Sequence, residues 1–246
     1  MAINQIDINA DVGEGLGNES EIMPYLSSCN ISCGAHAGNE KIMDYTIALA
    51  IKNNVKIGAH PSFPDKKNFG RKPMKLTKDE LMTSLSEQLT LFEKILKAND
   101  ANLHHIKPHG ALYNLAAVDR KVAQVVVALT KNQGKSIKLY VPYGSIVAEL
   151  AQKQGVEIVY EAFADRNYNS NLTLVSRQNE QAIITNPNEV FNHCLSILKK
   201  GKVKCLDGNE VSLKASTLCI HGDNENILGI LRFLKIKLRS KGIEIS

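Results

Sequence analysis

The stretch INADVGEGLGNE, residues 8–19, has two possible interpretations, a nucleotide-binding turn or the end of a catalytic strand, and the choice decides the fold. Its three glycines stand at alternate positions from Gly13 to Gly17, an arrangement typical of turns that hold a phosphate. No Gly-Lys-Ser/Thr follows, as a Walker motif requires, and the Gly-x-Gly-x-Gly spacing differs from the dinucleotide fingerprint. We therefore interpret the stretch as the carboxyl end of a first strand, whose amides could still meet a phosphate. Its polar side chains include Asn9, Asp11 and Glu14.

Short β-branched runs alternate with helical patterns along the rest of the chain. The predicted strands cover residues 5–9, 29–32, 55–59, 103–107, 137–141, 157–161 and 217–221, with a hairpin over 203–213 that turns at Asp207-Gly208. The predicted helices cover about residues 40–53, 119–133, 144–154, 188–200 and 224–240, and a long one begins at Thr77 with the capping-box residue Glu80.

Strands that alternate with helices pair in parallel through right-handed crossovers. Seven such strands predict an α/β fold of one domain, residues 1–246, built as a variant seven-stranded (β/α) barrel. An open, doubly wound sheet is the alternative.

Composition narrows the class of protein. Apolar residues make up 43% of the 246 residues and tryptophan is absent, which makes a base-stacking or sugar-stacking platform a poor fit. The net charge of +5 comes partly from clusters at 199–204 and 235–241, which lack interleaved aromatics and are interpreted as solvated faces. We therefore predict no nucleic-acid partner.

The five cysteines have neither zinc-ribbon nor disulfide-framework spacing, which favours a reducing compartment. The N-terminal residues lack the basic and apolar regions of a signal peptide, and no apolar run reaches membrane-spanning length. We predict a cytoplasmic protein without a membrane partner.

Polar side chains collect where the predicted strands end, which is where barrel enzymes place their chemistry. Four of the seven histidines follow four different strands, each beside a small residue, as expected for loops that surround one pocket. These strand-end residues are His36, His60, Lys107, His109, Tyr113, Glu161, Asp165, Arg166, His221 and Asp223. The remaining histidines, His104, His105 and His193, are interpreted as structural.

Three roles for this group stay open on the residues alone. Asp11 with His36 and His60 has the mixed oxygen and nitrogen ligands of a divalent-metal site. The same histidines could perform acid–base catalysis. Lys107 and Arg166 could hold a carboxylate or phosphate, although Arg166 could instead pair with Asp165 or Glu161.

Six motifs together resemble one family. They are Asp7-x-Asn9-x-Asp11-Val-Gly-Glu14, Cys33-Gly-Ala-His36-Ala-Gly, Gly58-Ala-His60-Pro-Ser, Lys107-Pro-His109-Gly-Ala-Leu-Tyr-Asn, Glu161-Ala-Phe-Ala-Asp165-Arg166 and His221-Gly-Asp223. In this order they resemble the lactam-utilisation family, which supplies the A subunit of the bacterial ATP-hydrolysing 5-oxoprolinase. The sequence departs from the family at Asn39, usually Asp, and after Tyr168, where an Asp-Gly pair is missing although Arg177 remains.

The resemblance implies a barrel akin to sugar deacetylases and some glycosidases. It implies hydrolysis of 5-oxoproline to L-glutamate coupled to ATP hydrolysis, with the B and C subunits of 5-oxoprolinase as partners. The alternatives are a stand-alone metal-dependent amidohydrolase or deacetylase, and a binding module for a small anion. ATP is the expected cofactor, together with a divalent metal.

The residues assigned to this chemistry fall into three groups. The predicted catalytic residues are Asp11, Lys107, His109, Asp165 and His221. The predicted substrate- or phosphate-binding residues are Asn9, Glu14, Tyr113 and Arg166. The predicted metal ligands are Asp11, His36 and His60.

Overall fold

A computed structural model describes residues 4–246. The strands are β1 (Gln5–Val12), β2 (Ser28–Ser32), β3 (Lys56–His60), β4 (His105–Ile106), β5 (Lys138–Pro142), β6 (Ile158–Phe163), β7 (Lys202–Lys204), β8 (Glu210–Ser212), β9 (Thr217–Ile220) and β10 (Glu244–Ile245). The helices are α1 (Glu19–Ile22), α2 (Glu40–Lys52), α3 (Lys78–Ala98), α4 (Gly110–Val118), α5 (Arg120–Asn132), α6 (Ile146–Lys153), α7 (Pro187–Leu195) and α8 (Ile227–Arg239). None of these helices has the length and apolar character needed to cross a membrane.

Seven parallel strands close into a barrel, as the alternating pattern predicts. Strands β1 to β6 pair in chain order, and β9 pairs with both β6 and β1 to complete the ring. The open-sheet alternative is wrong because β1 has a barrel neighbour on each side. Strand β10 adds to the start of β1, at the end opposite the strand-end residues.

Local sequence signals explain the helix starts. Thr77 and Glu80 form the predicted capping box at the start of α3, with Thr77 N–H donating to Glu80 Oε2 at 2.7 Å. Asn39 caps α2 by accepting from Ile42 N–H at 3.1 Å, so the amide performs the capping task for which an aspartate is also suited.

The structure differs from the sequence prediction at several elements, including the short helix α1, which was not predicted. Strand β1 continues to Val12, so Asp11 lies inside the strand and not after it. Strand β4 contains only His105–Ile106, which puts Lys107 at the start of the following loop. Helix α4 and strand β10 were not predicted; α4 begins at Gly110, whose φ of +52° suits glycine. The predicted hairpin at 203–213 is confirmed as β7–β8.

The barrel interior is polar near the carboxyl ends of its strands. Asn30 donates to Asn9 Oδ1 at 2.7 Å and to Asp11 Oδ1 at 2.8 Å, and it also faces His105 Nε2 at 2.8 Å. His105 stacks on Tyr140 and is fully buried, which agrees with its structural interpretation. This hydrogen-bonded layer supports the residues that face the cavity above it.

Candidate active site

A cavity of about 470 Å³ opens at the carboxyl ends of the barrel strands. Its walls come from segments at the ends of β1, β3, β4, β6 and β9, as the barrel prediction requires. Of the predicted site residues, eight line it: Asp11, Glu14, His60, Lys107, His109, Tyr113, Arg166 and His221. The other three, Asn9, His36 and Asp165, are buried and contact these residues or their neighbours directly.

Lys107 is the buried cation at the inner end of the cavity. Its Nζ lies 2.9 Å from Asp11 Oδ1, 2.9 Å from Glu161 Oε1 and 3.0 Å from Cys219 Sγ, and the residue is 1% exposed. Burial by itself lowers the pKa of Lys107, but Asp11, Cys219 and Glu161 outweigh it and hold that pKa well above its usual value. Lys107 is therefore a charged element of the wall, committed to two carboxylates.

Three histidines and one glutamate converge beside this cation. The donor atoms of Glu14, His36, His60 and His109 all lie within 4.8 Å of one another. His109 Nδ1 is 2.9 Å from His60 Nε2, and Glu14 Oε1 is 3.3 Å from His36 Nε2 and 3.6 Å from His109 Nδ1. Asp11 lies next to this group, with Oδ2 3.4 Å from His60 Nε2.

In each histidine, the ring nitrogen that points away from the cluster donates a hydrogen bond, which determines the tautomer of the ring. His109 Nε2 donates to Phe69 C=O at 2.9 Å, and His60 Nδ1 donates to Lys107 C=O at 2.7 Å. His36 Nδ1 donates to Ser62 Oγ at 2.9 Å, because that hydroxyl donates its own proton to Phe63 C=O. The nitrogens that face each other, His109 Nδ1 and His60 Nε2, then both carry lone pairs. Two lone pairs 2.9 Å apart require a proton or a metal ion between them.

Burial shifts the pKa values of His36, His109 and Glu14 in this cluster towards their neutral forms. Burial, together with charge at His60, lowers the pKa of His36 to about 3. Burial and the neighbouring histidines also hold the pKa of His109 well below its usual value. Burial and the charge of Asp11 raise the pKa of Glu14 to about 7.

The donor set fits a divalent transition metal. Imidazole nitrogens with one carboxylate are the ligands that zinc and related ions prefer. Donor atoms around a tetrahedral ion with bonds of about 2.1 Å stand about 3.4 Å apart, and the short contacts here run from 2.9 to 3.6 Å. The set includes the predicted His36 and His60, with Glu14 and His109 in place of Asp11.

Asp165 and His221 form a hydrogen-bonded pair on another wall. His221 Nδ1 donates to Asp165 Oδ1 at 2.8 Å, while His221 N–H and Asn224 Nδ2 both donate to Oδ2 at 3.0 Å. Burial raises the pKa of Asp165, but these partners outweigh it and hold that pKa below its usual value. The ionised carboxylate fixes the ring so that Nε2 carries the lone pair, and the ring stacks against Phe163.

Arg166 is held by backbone carbonyls and pairs with neither carboxylate proposed for it. Its Nε donates to Ala182 C=O at 3.1 Å and its Nη2 to Val175 C=O at 2.6 Å. The residue is buried at the cavity wall, and burial with the nearby Arg177 lowers its pKa to about 10. Arg166 thus orders the loop between β6 and α7.

Three basic residues at the cavity mouth were not predicted as site residues. Arg71, Lys72 and Arg177 line it, and none of them follows a strand directly. Arg71 and Arg177 both pair with Asp223. Their only local signal is a run of polar and basic residues in long loops, which is also typical of ordinary surface.

Comparison with known proteins gives the family. The sequence profile of the LamB/YcsF family matches residues 6–246. A curated relative from Histophilus somni (strain 129Pt), named as the A subunit of 5-oxoprolinase, is 38% identical over 99% of this chain and 99% of its own length. This chain belongs to the LamB/YcsF family. The predicted resemblance to the lactam-utilisation family is therefore confirmed.

One solved structure superposes closely on this chain. The crystal structure of the lactam utilization protein from Thermus thermophilus has a TM-score of 0.90 at 37% identity, covering 98% of both chains. A T48 deacetylase with substrate has a TM-score of 0.52 at 15% identity, covering 98% of this chain and 86% of that one. The second likeness extends to the barrel fold alone, as predicted for this family.

Proposed function

We propose that this chain is the A subunit of an ATP-dependent 5-oxoprolinase, which hydrolyses 5-oxoproline to L-glutamate together with the B and C subunits. The relatives named as the A subunit of 5-oxoprolinase support this reaction, and their description as one of several subunits supports the need for partners. The single observation that carries the chemistry is the cavity itself. It combines an oriented histidine–aspartate pair with a buried histidine cluster and a fixed buried cation.

The chain's own residues account for the proton transfers of lactam hydrolysis. Water must add to the ring carbonyl carbon, the C–N bond must break, and the departing nitrogen must gain a proton. His221 Nε2 is placed to accept the proton of the water, because Asp165 holds the proton on Nδ1. The resulting imidazolium, stabilised by Asp165, then donates that proton to the nitrogen.

Lys107 contributes positive charge to the cavity, and a metal at the histidine cluster would add to it. Lys107 supplies a fixed positive charge at the inner wall, and Asp11 and Glu161 keep it there. A metal held by Glu14, His36, His60 and His109 would supply positive charge beside Asp11 at the inner wall. ATP enters this proposal as the co-substrate of the assembled enzyme, with no residue of this chain assigned to it.

The reaction is tested by measuring glutamate formed from 5-oxoproline, with and without ATP. The chain is assayed alone and mixed with the B and C subunits. Glutamate that appears only in the complete mixture with ATP supports the proposal. Hydrolysis by the chain alone without ATP would instead indicate a stand-alone amidohydrolase, and no glutamate in the complete mixture would overturn the assigned substrate.

Metal binding by the histidine cluster is a separate prediction. We expect the purified chain to bind about one zinc-class ion and His109→Ala to weaken that binding on the order of 10–100-fold or more, because a ligand is lost. Affinity is measured by competition with a chromogenic chelator. His104→Ala is the matched control, since this half-buried histidine lies outside the cluster. Equal affinity in His109→Ala and His104→Ala would contradict the assigned ligands.

A further inference from the structure

The mouth of the cavity carries two arginines fixed on one carboxylate. Arg177 contacts Asp223 through both terminal nitrogens, Nη1 to Oδ2 at 2.9 Å and Nη2 to Oδ1 at 3.2 Å. Arg71 contacts the same carboxylate through Nη2, and its guanidinium lies over the Phe69 ring at 4.7 Å. Both guanidinium groups are therefore oriented before any ligand arrives, which reduces the entropy lost on binding.

Arg166 fixes the loop that presents Arg177. Its guanidinium donates to the carbonyls of Val175 and Ala182. These hydrogen bonds hold two separate segments of the loop between β6 and α7 against the same side chain. Arg177 follows Val175 by two residues and reaches across to Asp223, which lies just after β9. Arg166 is thus a positioning residue for the mouth.

The charges at this mouth do not cancel. Arg71, Lys72, Arg166 and Arg177 line the cavity there, and Asp223 is the carboxylate among them. The other two lining carboxylates, Asp11 and Glu14, belong to the inner wall, where Lys107 and the histidine cluster occupy them. Burial raises the pKa of Asp223, but Arg177 and Arg71 outweigh it, so the group stays ionised. The mouth retains an excess of fixed positive charge on planar, multi-donor groups, which suits an oxyanion.

We propose that Arg71 and Arg177, held by Asp223, form an oxyanion subsite at the mouth of the cavity. Its ligand is a carboxylate or a phosphate group. Given the proposed function, the two sources are the carboxylate of 5-oxoproline and the phosphate released from ATP. This assignment moves anion binding from Lys107 and Arg166, whose donors serve the protein, to the two arginines at the entrance.

The test uses the chain alone and measures binding by titration calorimetry. The probes are inorganic phosphate, 5-oxoproline and 2-pyrrolidinone, which has the same ring without the carboxylate. Arg177→Gln and Arg71→Gln are compared with Arg120→Gln, a matched control whose side chain is 57% exposed and lies away from the cavity. Loss of a charged hydrogen-bond donor predicts roughly tenfold weaker oxyanion binding or more.

Each outcome decides a source or overturns the subsite. Weaker phosphate binding in Arg177→Gln, with 2-pyrrolidinone unchanged, supports the phosphate source. Weaker 5-oxoproline binding that falls to the level of 2-pyrrolidinone supports the carboxylate source. Wild-type affinity of both oxyanions in both variants, or failure of the wild-type chain to bind either, overturns the proposal. Because phosphate binding needs no turnover, it can succeed even if the assembled enzyme forms no glutamate.

A double variant tests the positioning role of Arg166. We expect Arg166→Gln to weaken oxyanion binding by about the same factor as Arg177→Gln, and the double variant to be no weaker than either. Weakening that multiplies in the double variant would show that Arg166 acts independently of Arg177.

Discussion

Replacing Lys107 with methionine should lower the free energy of unfolding by about 3–5 kcal/mol, the usual effect of removing one partner from a buried ion pair. Methionine keeps much of the apolar stem but leaves Asp11 and Glu161 without their shared cation. Both carboxylates are buried, so water only poorly replaces the ammonium group. We also expect the assembled enzyme to form no glutamate. Urea denaturation measures the change in the free energy of unfolding.

The matched control is Lys138→Met. Lys138 begins β5 and pairs with Glu157 at 3.2 Å, but both side chains are well exposed, 32% and 55%. Such a pair contributes less than about 1 kcal/mol. Equal shifts of the urea midpoint in Lys107→Met and Lys138→Met would show that Lys107 does not stabilise the fold through its buried pairs with Asp11 and Glu161.

Asp165→Asn should reduce glutamate formation on the order of 10²–10⁴-fold. The asparagine amide can donate to His221 Nδ1, which would move the ring proton to Nε2 and remove the lone pair from the cavity. The fold should survive, because Asn224 and the His221 backbone can still hydrogen-bond to an amide oxygen. Steady-state rates of the assembled enzyme measure the effect, with the exposed Asp79→Asn as control. A rate within a few-fold of wild type would exclude this pair from catalysis.

The same variant has a predicted pH signature in stability. Because the folded-state pKa of Asp165 lies below its usual value, its stabilising contribution is present at neutral pH and is lost as the pH falls through that lowered value. The difference in unfolding free energy between wild type and Asp165→Asn should therefore shrink below about pH 4. A difference independent of pH would show that the carboxylate charge does not stabilise the fold.

The sequence predicted the barrel because its signals are local and repeated. Apolar runs with polar ends mark each strand, and the capping box at Thr77 marks a helix start without any tertiary information. The histidines after β2, β3 and β4 converge because parallel strands of one barrel end on one face. The sequence could not show which side chains meet through hydrogen bonds. It therefore did not predict that Glu14 and His109 lie among the clustered metal ligands.

Loop residues were beyond sequence reasoning for a different reason. Arg166 has the composition of an anion clamp, yet its donors meet carbonyls that lie 9 and 16 residues further along the chain. Arg71 and Asp223 are 152 positions apart and meet only because the loop after β3 and the loop after β9 lie over the same opening. Neither contact leaves a periodic or spacing signal, so only three-dimensional placement reveals the mouth.

The hydrogen bond from His109 to Phe69 C=O connects the proposed anion subsite to the histidine cluster. The loop between β3 and α3 carries the carbonyl that orients His109 and, two residues later, the guanidinium of Arg71. Gly70 between them packs so closely that a Cβ there would lie 2.9 Å from His109 Cδ2. Any displacement of this loop would therefore move the imidazole as well, so an anion at Arg71 and an ion at the histidines that each shift the loop must change each other's affinity by the same factor.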